Sequence, residues 1–231
     1  MKTVLITGAN RGIGLEHARR YAERGALVFA TARQPQEAND LAALSRRHAG
    51  KLEVLPYDAA EPDAAAALKK RLGDAPVDLM FANAGAMGTR RQSFGDVDGE
   101  ALLDLIRVNA VAPLKLAEAL ADNVAASERK TMAFQTSLMG SIADNGSGGA
   151  YAYRLSKAAL NMAGKGVSND LRGRGIKVAI LHPGWVRTRM GGPSGKISEA
   201  ECVEGQQRIL DALTPEQSGK FFNYDGRELP W

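Results

Sequence analysis

The sequence is nearly without cysteine: Cys202 stands alone among 231 residues. One thiol excludes an intrachain disulfide framework, agrees with a reducing compartment and reads as a structural residue. No basic start followed by an apolar stretch and a cleavage site precedes MKTVLITG, and no run approaches transmembrane length, so a soluble cytoplasmic protein without a membrane partner is expected. Histidine is scarce too. His17, His48 and His182 are scattered without metal-ligand spacing, so no metal site is expected. No Pro/Ser/Gly linker divides the chain and no repeat of fixed period occurs, which leaves one domain spanning residues 1–231. The net charge of +4 is spread among acidic residues, and no nucleic-acid module is recognisable, so nucleic acid is not an expected partner.

What is present is a rhythm. The apolar runs TVLIT, ALVFAT, LEVLPY, VDLMFA, TMAFQT, IKVAIL and GKFFNY are too continuous for strands exposed on one face and resemble buried parallel strands. Helix candidates alternate with them at about 12–24, 36–48, 62–72, 99–126, 151–173 and 198–212, with Gly25 and Gly173 as stops and Pro62 near a first helical position. Right-handed crossovers turn this order into an α/β Rossmann fold, a doubly wound parallel sheet of about seven strands flanked by helices. Ligands of such sheets lie beyond the carboxyl ends of the strands.

The first strand runs into TGANRGIG. Gly8, Gly12 and Gly14 permit a tight turn and a close backbone approach, and the helix that follows presents free N–H groups to a pyrophosphate. Asn10, Arg11 and Ile13 complete this cofactor loop. About twenty residues on, where NAD-selective folds carry an acid for the ribose hydroxyl, this chain has Arg33. Arg33 with Arg11 suits the 2′-phosphate of NADP(H); the other reading of each is a solvated loop arginine.

In GGAYAYRLSKAAL, residues 148–160, Tyr153 is four residues before Lys157 and Tyr151 is six before it. Side chains four apart share a helix face, so Tyr153, not Tyr151, brings its hydroxyl towards the Lys157 ammonium.

These segments together resemble the short-chain dehydrogenase/reductase family over nearly the whole chain. TGANRGIG matches its TGxxxGxG loop; ANAG, with Asn83, Ala84 and Gly85, is similar to its NNAG motif, with Ala82 in place of the first asparagine. RVNAVAP places Asn109 at its helix-borne asparagine, TSLMGS places Ser137 at its serine, and YRLSK carries its Tyr153 and Lys157. HPGWVRT resembles the segment that contacts the nicotinamide, pointing to Pro183, Gly184, Val186 and Thr188, and Asp58 matches an adenine-contacting aspartate or else caps a turn. SLMGSIADNGSGGAYAYRLSKAALNM and NYDGRELPW are similar to the Sniffer-type carbonyl reductase and C-factor branch, in which extra residues separate serine from tyrosine. Ser141 is therefore the second choice after Ser137, whose S-x-x-G pattern fits better.

The resemblance implies an NADP(H)-dependent oxidoreductase acting on a small-molecule carbonyl or alcohol. Tyr153 would be the acid and base, its pKa lowered by about 1 to 3 units by Lys157. Ser137 would donate a hydrogen bond to the substrate oxygen, Lys157 would also reach the ribose, and Asn109 would hold a water on a proton path. Tyr151 would line the substrate mouth, and RTRMGGPSGKISEAE has the glycines of a mobile lid over a pocket walled by Met139, Trp185, Met87 and Met190, if these are not ordinary core residues. The alternative is a cofactor-binding signalling or regulatory protein of C-factor type with incidental turnover. A homodimer or homotetramer through the long fourth and fifth helices is a further expectation.

Overall fold

The computed structural model describes every residue from Met1 to Trp231. Seven parallel strands form the main sheet: β1 (Thr3–Ile6), β2 (Leu27–Ala32), β3 (Leu52–Pro56), β4 (Leu79–Ala82), β7 (Thr131–Gln135), β8 (Lys177–His182) and β9 (Lys220–Asn223). Their spatial order is β3-β2-β1-β4-β7-β8-β9. Val4 pairs with Val28 on one side and Leu79 on the other, so the chain winds outward in both directions from β1 and β4. The crevice beyond these two strands is where the order reverses, the usual ligand position of a doubly wound sheet.

Alternation along the strands feeds two separate cores. Val4 and Ile6 point into the one built with helices α1 (Gly12–Glu23), α2 (Asn39–Arg47) and α7 (Glu199–Ala212). Leu5, Met80 and Phe134 point into the other, with α3 (Ala64–Leu72), α5 (Ala112–Ala125) and α6 (Tyr151–Asp170). Buried strands coated on both faces account for the unbroken apolar runs. No helix is long and apolar enough to cross a membrane.

Three local expectations are corrected and one element is added. Residues 99–126 do not make one regular helix: α4 (Gly99–Ile106) passes into a π-helical turn at Arg107–Val111 before α5. Gly173 is not the stop of α6; the chain makes a 3-10 turn over Arg172–Arg174, and Gly175 takes the left-handed conformation at φ 73°. Pro62 lies ahead of the N-cap Asp63, so α3 starts two residues after it. Between β4 and α4 the chain forms a short antiparallel hairpin, β5 (Gln92–Ser93) and β6 (Asp96–Val97), turning at Gly95 with φ 86°. Its strands of two residues are too short to give a period.

Candidate active site

The glycine loop is shaped by close packing. Gly8 has φ 66°, and a Cβ there would lie 2.9 Å from the Ala84 Cα; a Cβ on Gly14 would lie 2.4 Å from the Gly8 carbonyl oxygen and 2.6 Å from Asn83 Nδ2. Asn83 donates through Nδ2 to the carbonyls of Thr7 and Gly8 at 2.9 and 3.1 Å, and Thr7 Oγ1 accepts the N–H groups of Asn83 and Ala84 at 3.0 Å each. Asn83 thus braces the loop and has no donor left for a ligand, a role shared with Thr7, which the motif reading passed over. Arg11, the N-cap of α1, makes no side-chain cap bond. The N–H groups of Gly12, Ile13 and Gly14 at the start of α1 meet no acceptor within the chain, which fits the phosphates of a dinucleotide. Arg11 and Arg33 are exposed on the same side of the sheet's carboxyl ends, and neither belongs to the ion pairs that hold Arg19, Arg20 and Arg24. Asp58 accepts the Ala60 N–H at 3.0 Å, the turn-capping bond that was its other reading.

After β8, Gly184 turns at φ 77° where a Cβ would lie 2.9 Å from Ile197 and 3.0 Å from Tyr224. Val186 is buried, and Thr188 comes within van der Waals reach of the space beside Gly12, so the Pro183–Thr188 segment closes against the glycine loop. The stretch expected to be a mobile lid is pinned at its neck. Arg187 N–H donates to the Ile197 carbonyl at 2.9 Å, Lys196 N–H to the Trp185 carbonyl at 2.6 Å, and Trp185 Nε1 to the Gly191 carbonyl at 2.7 Å. Gly191 and Gly195 serve compactness, since a Cβ on Gly191 would lie 2.1 Å from the Val186 carbonyl oxygen and one on Gly195 2.5 Å from the Arg187 nitrogen.

Across the crevice stand Ser137, Tyr153, Lys157 and Asn109, all buried. Ser137 caps a short 3-10 turn (Leu138–Gly140) by accepting the Met139 N–H at 3.2 Å. A Cβ on Gly140 would lie 2.7 Å from the main-chain carbon of Lys157, so the S-x-x-G spacing allows the serine turn to lie directly on α6. Asn161 Nδ2 donates to the Gly140 carbonyl at 3.2 Å, and His182 Nδ1 accepts the Leu138 N–H at 3.1 Å. His182 must be neutral to accept, and burial pushes its pKa down to about 4. Ser141 is spent elsewhere: its hydroxyl accepts the Asp144 N–H at 3.1 Å.

Tyr153 and Lys157 share a face of α6, with the ammonium 5.8 Å from the centre of the phenol ring and 2.9 Å from the Gln135 carbonyl, to which it donates. The expected lowering of the Tyr153 pKa by Lys157 is corrected: burial raises it, and the Ser137 hydroxyl beside the phenol pulls it part of the way back. Burial likewise pushes Lys157 down to about 8. Removing both groups from water penalises their charged forms more than their mutual field favours them. Asn109, in the π turn, donates from Nδ2 to the Ala86 carbonyl at 2.9 Å and to Ser156 Oγ at 3.0 Å, while its Oδ1 accepts the Ala86 N–H at 2.8 Å. A single-turn π bulge in a helix often marks a functional position. Gly85 is small because a Cβ there would lie 3.1 Å from Asn109 Oδ1 and 3.5 Å from Lys157 Nζ.

Tyr151 opens α6, partly exposed, with its ring centre 6.3 Å from that of Phe94. Met139 packs against Leu105, Ala152 and Tyr153. Trp185, Met87 and Met190 are exposed rather than core residues. Besides Thr7, two further contributors escaped the sequence reading. His182 adjoins the HPG motif and could have been singled out; Gln92, in the hairpin, has no local pattern to betray it.

Comparison with known proteins agrees with this layout. The model of the short chain dehydrogenase family matches residues 2–197. The chain is 46% identical over 156 residues to the C-signal of Myxococcus xanthus, covering 68% of this chain and 93% of that protein. It is 35% identical over 238 residues to the 1-hydroxy-2-glutathionyl-2-methyl-3-butene dehydrogenase of Rhodococcus sp., with 100% of both covered. The solved structure of the carbonyl reductase Sniffer of D. melanogaster superposes with a TM-score of 0.91 at 33% identity, covering 100% of each chain. The NADPH-bound carbonyl reductase from chicken fatty liver gives 0.91 at 32% identity, covering 100% of this chain and 99% of that one. The chain belongs to the short chain dehydrogenase family of nicotinamide-dependent oxidoreductases.

Proposed function

We propose that residues 1–231 act as a single NADPH-dependent carbonyl reductase in which Tyr153 protonates the substrate oxygen. The observation that carries this reading is the buried set of Tyr153, Ser137 and Lys157, with a serine hydroxyl beside the phenol and an ammonium over its ring.

Bound in the crevice, the reduced nicotinamide would supply a hydride to the carbonyl carbon. Charge then gathers on the carbonyl oxygen, where Tyr153 gives up its proton and Ser137 donates a hydrogen bond to the developing oxyanion. A phenol whose pKa is raised is protonated throughout the neutral range, the form that reduction requires. The Lys157 ammonium stabilises the tyrosinate left behind and, anchored on Gln135, stands where it can restore a proton. Asn109 acts by holding Ala86 and Ser156 together, which fixes the floor of the site. The unpaired N–H groups of Gly12, Ile13 and Gly14 would hold the phosphates, with Asn10 beside them, while Ala84, Gly85, Pro183, Gly184, Val186 and Thr188 line the nicotinamide end. Arg11 and Arg33 favour the 2′-phosphate, and NADPH- and NADP-bound carbonyl reductases and dehydrogenases of this fold support that preference. Tyr151, Met139 and Trp185 border the substrate, a medium-sized carbonyl compound.

Oxidation of NADPH with a panel of quinones, diketones and aldehydes tests this reading, together with Tyr153→Phe and Tyr151→Phe. Tyr153→Phe should abolish turnover and keep NADPH binding, and Tyr151→Phe should retain turnover; an active Tyr153→Phe enzyme overturns it. The identity to the C-signal supports a second reading, an NADP(H)-binding signalling protein with incidental turnover. Cofactor binding with no turnover on any member of the panel would favour that one.

A further inference from the structure

Helix α6 begins without a cap of its own. Ala150, at the N-cap position, is left-handed with φ 47° and offers no side-chain acceptor, although the first turn of a helix has N–H groups that need partners. The third of these belongs to Tyr153. Its partner comes from 61 positions away: Gln92 Oε1 accepts the Tyr153 N–H at 2.9 Å. The same amide donates from Nε2 to the carbonyl of Met87 at 2.9 Å and to that of Thr89. One acceptor meets an N–H and one donor meets two carbonyls, so only one orientation of the amide satisfies all three partners. Gln92 is buried, and at Gly88, between the two carbonyls, a Cβ would lie 3.3 Å from Gln92 Nε2 and 2.8 Å from Leu105. The backbone there is fitted around the amide.

Asn109 has a parallel arrangement. It holds Ala86 with one part of its amide and Ser156 of α6 with another. The loop of residues 86–89 is therefore gripped at its start by Asn109 and along its length by Gln92, and each amide also has a hold on α6.

We infer that Gln92 is a positioning residue that couples the loop after β4, and the hairpin carrying Phe94, to the placement of Tyr153. This rests on the carbonyl reductase reading for its kinetic consequence, whereas the coupling itself is a property of the fold. Its two functions are separable by chemistry. In Gln92→Glu a carboxylate can still accept the Tyr153 N–H but faces the Met87 and Thr89 carbonyls with an acceptor instead of a donor, so the loop is released while the helix cap persists. In Gln92→Met both are lost at nearly constant volume.

The experiment measures menadione reduction by NADPH alongside amide hydrogen exchange of the segments 86–90 and 150–156 in the full chain. In Gln92→Met, both segments exchange faster and kcat falls by about 10- to 100-fold, the penalty of displacing a reacting group by a fraction of an ångström to an ångström. In Gln92→Glu, only segment 86–90 exchanges faster, and KM rises more than kcat falls. That KM recovers from about pH 8 to about pH 5, because a protonated carboxyl can again donate to a carbonyl. Unchanged exchange in both segments of Gln92→Met, or equal acceleration of both segments in the two variants, overturns the inference. If the wild-type protein turns over no carbonyl compound, the reductase reading fails, and the exchange data still decide the role of Gln92.

Discussion

Lys157 rests its ammonium 2.9 Å from the main-chain carbonyl of Gln135, the last residue of β7, and this one bond joins the helix that bears the tyrosine to the strand that leads into the serine turn. The lysine is buried, and its pKa of about 8 follows from the loss of hydration. Because the phenol is pushed upward instead, the first proton lost on raising the pH is that of Lys157. Carbonyl reduction should therefore be level below about pH 8 and decline above it as the ammonium is lost. The pH profile of kcat for NADPH oxidation checks this, and a rate that climbs through that range would remove Lys157 from the proton path.

The serine assignment has a sharp contrast built into it. Ser137 stands beside the phenol, whereas Ser141 closes the turn to Asp144. Ser137→Ala should lower kcat by about 100-fold, the usual cost of removing one donor from a developing oxyanion. Ser141→Ala should change kcat by no more than about threefold and cost about 1 kcal/mol of stability, the worth of a hydrogen bond. Steady-state kinetics of the pair, with urea unfolding of each, decides between them.

How much of this was open to sequence reading depends on whether the cause was local. The seven strands and the glycine loop were legible because burial on both sheet faces and tight turns leave composition signals within a few residues. The Tyr153 and Lys157 pair was legible because helical spacing is a short-range rule. Three things were not. The sign of the Tyr153 shift depends on how much water the assembled core excludes, which spacing does not encode. The π turn around Asn109 is a register change without a sequence marker. Gln92 acts across 61 positions, from a hairpin too short to show a period, so only the folded chain brings it to α6.

Cofactor preference turns on Arg33. Exposed at the end of β2, with Arg11 in the adjacent loop, it is free to meet a dianionic phosphate. Arg33→Asp replaces that cation with an acceptor suited to a ribose hydroxyl. The ratio of kcat/KM for NADPH over NADH should drop by about 10- to 100-fold, the equivalent of one or two charge-assisted hydrogen bonds. An unaltered ratio would assign Arg33 to solvent.

His17 sits on α1 beneath the sheet, fully buried, with its ring edge-on to Phe81 at 4.7 Å and its Nε2 2.9 Å from Gln206 Oε1. Since Gln206 Oε1 only accepts, Nε2 carries the proton, and Nδ1 is buried with no partner. A second proton would place a charge in a fully buried site, where the loss of hydration outweighs the help of Gln206 and of the Glu16 carboxylate and holds the folded pKa down to about 4 against 6.5 for the free side chain. The unfolded chain thus binds a proton that the folded chain refuses. Stability from this site is complete above pH 6.5 and drains away as the pH falls towards 4, by roughly 3 kcal/mol at the lower limit. His17→Gln keeps a donor for Gln206 but cannot titrate. Urea unfolding of both proteins across this range should show the wild type losing stability relative to the variant as the solution is acidified. His182 contributes a slope of the same sign to both proteins and cancels in the difference. Parallel curves would mean that His17 takes up its proton as readily in the folded chain as in the unfolded one, and its lowered pKa would then be wrong.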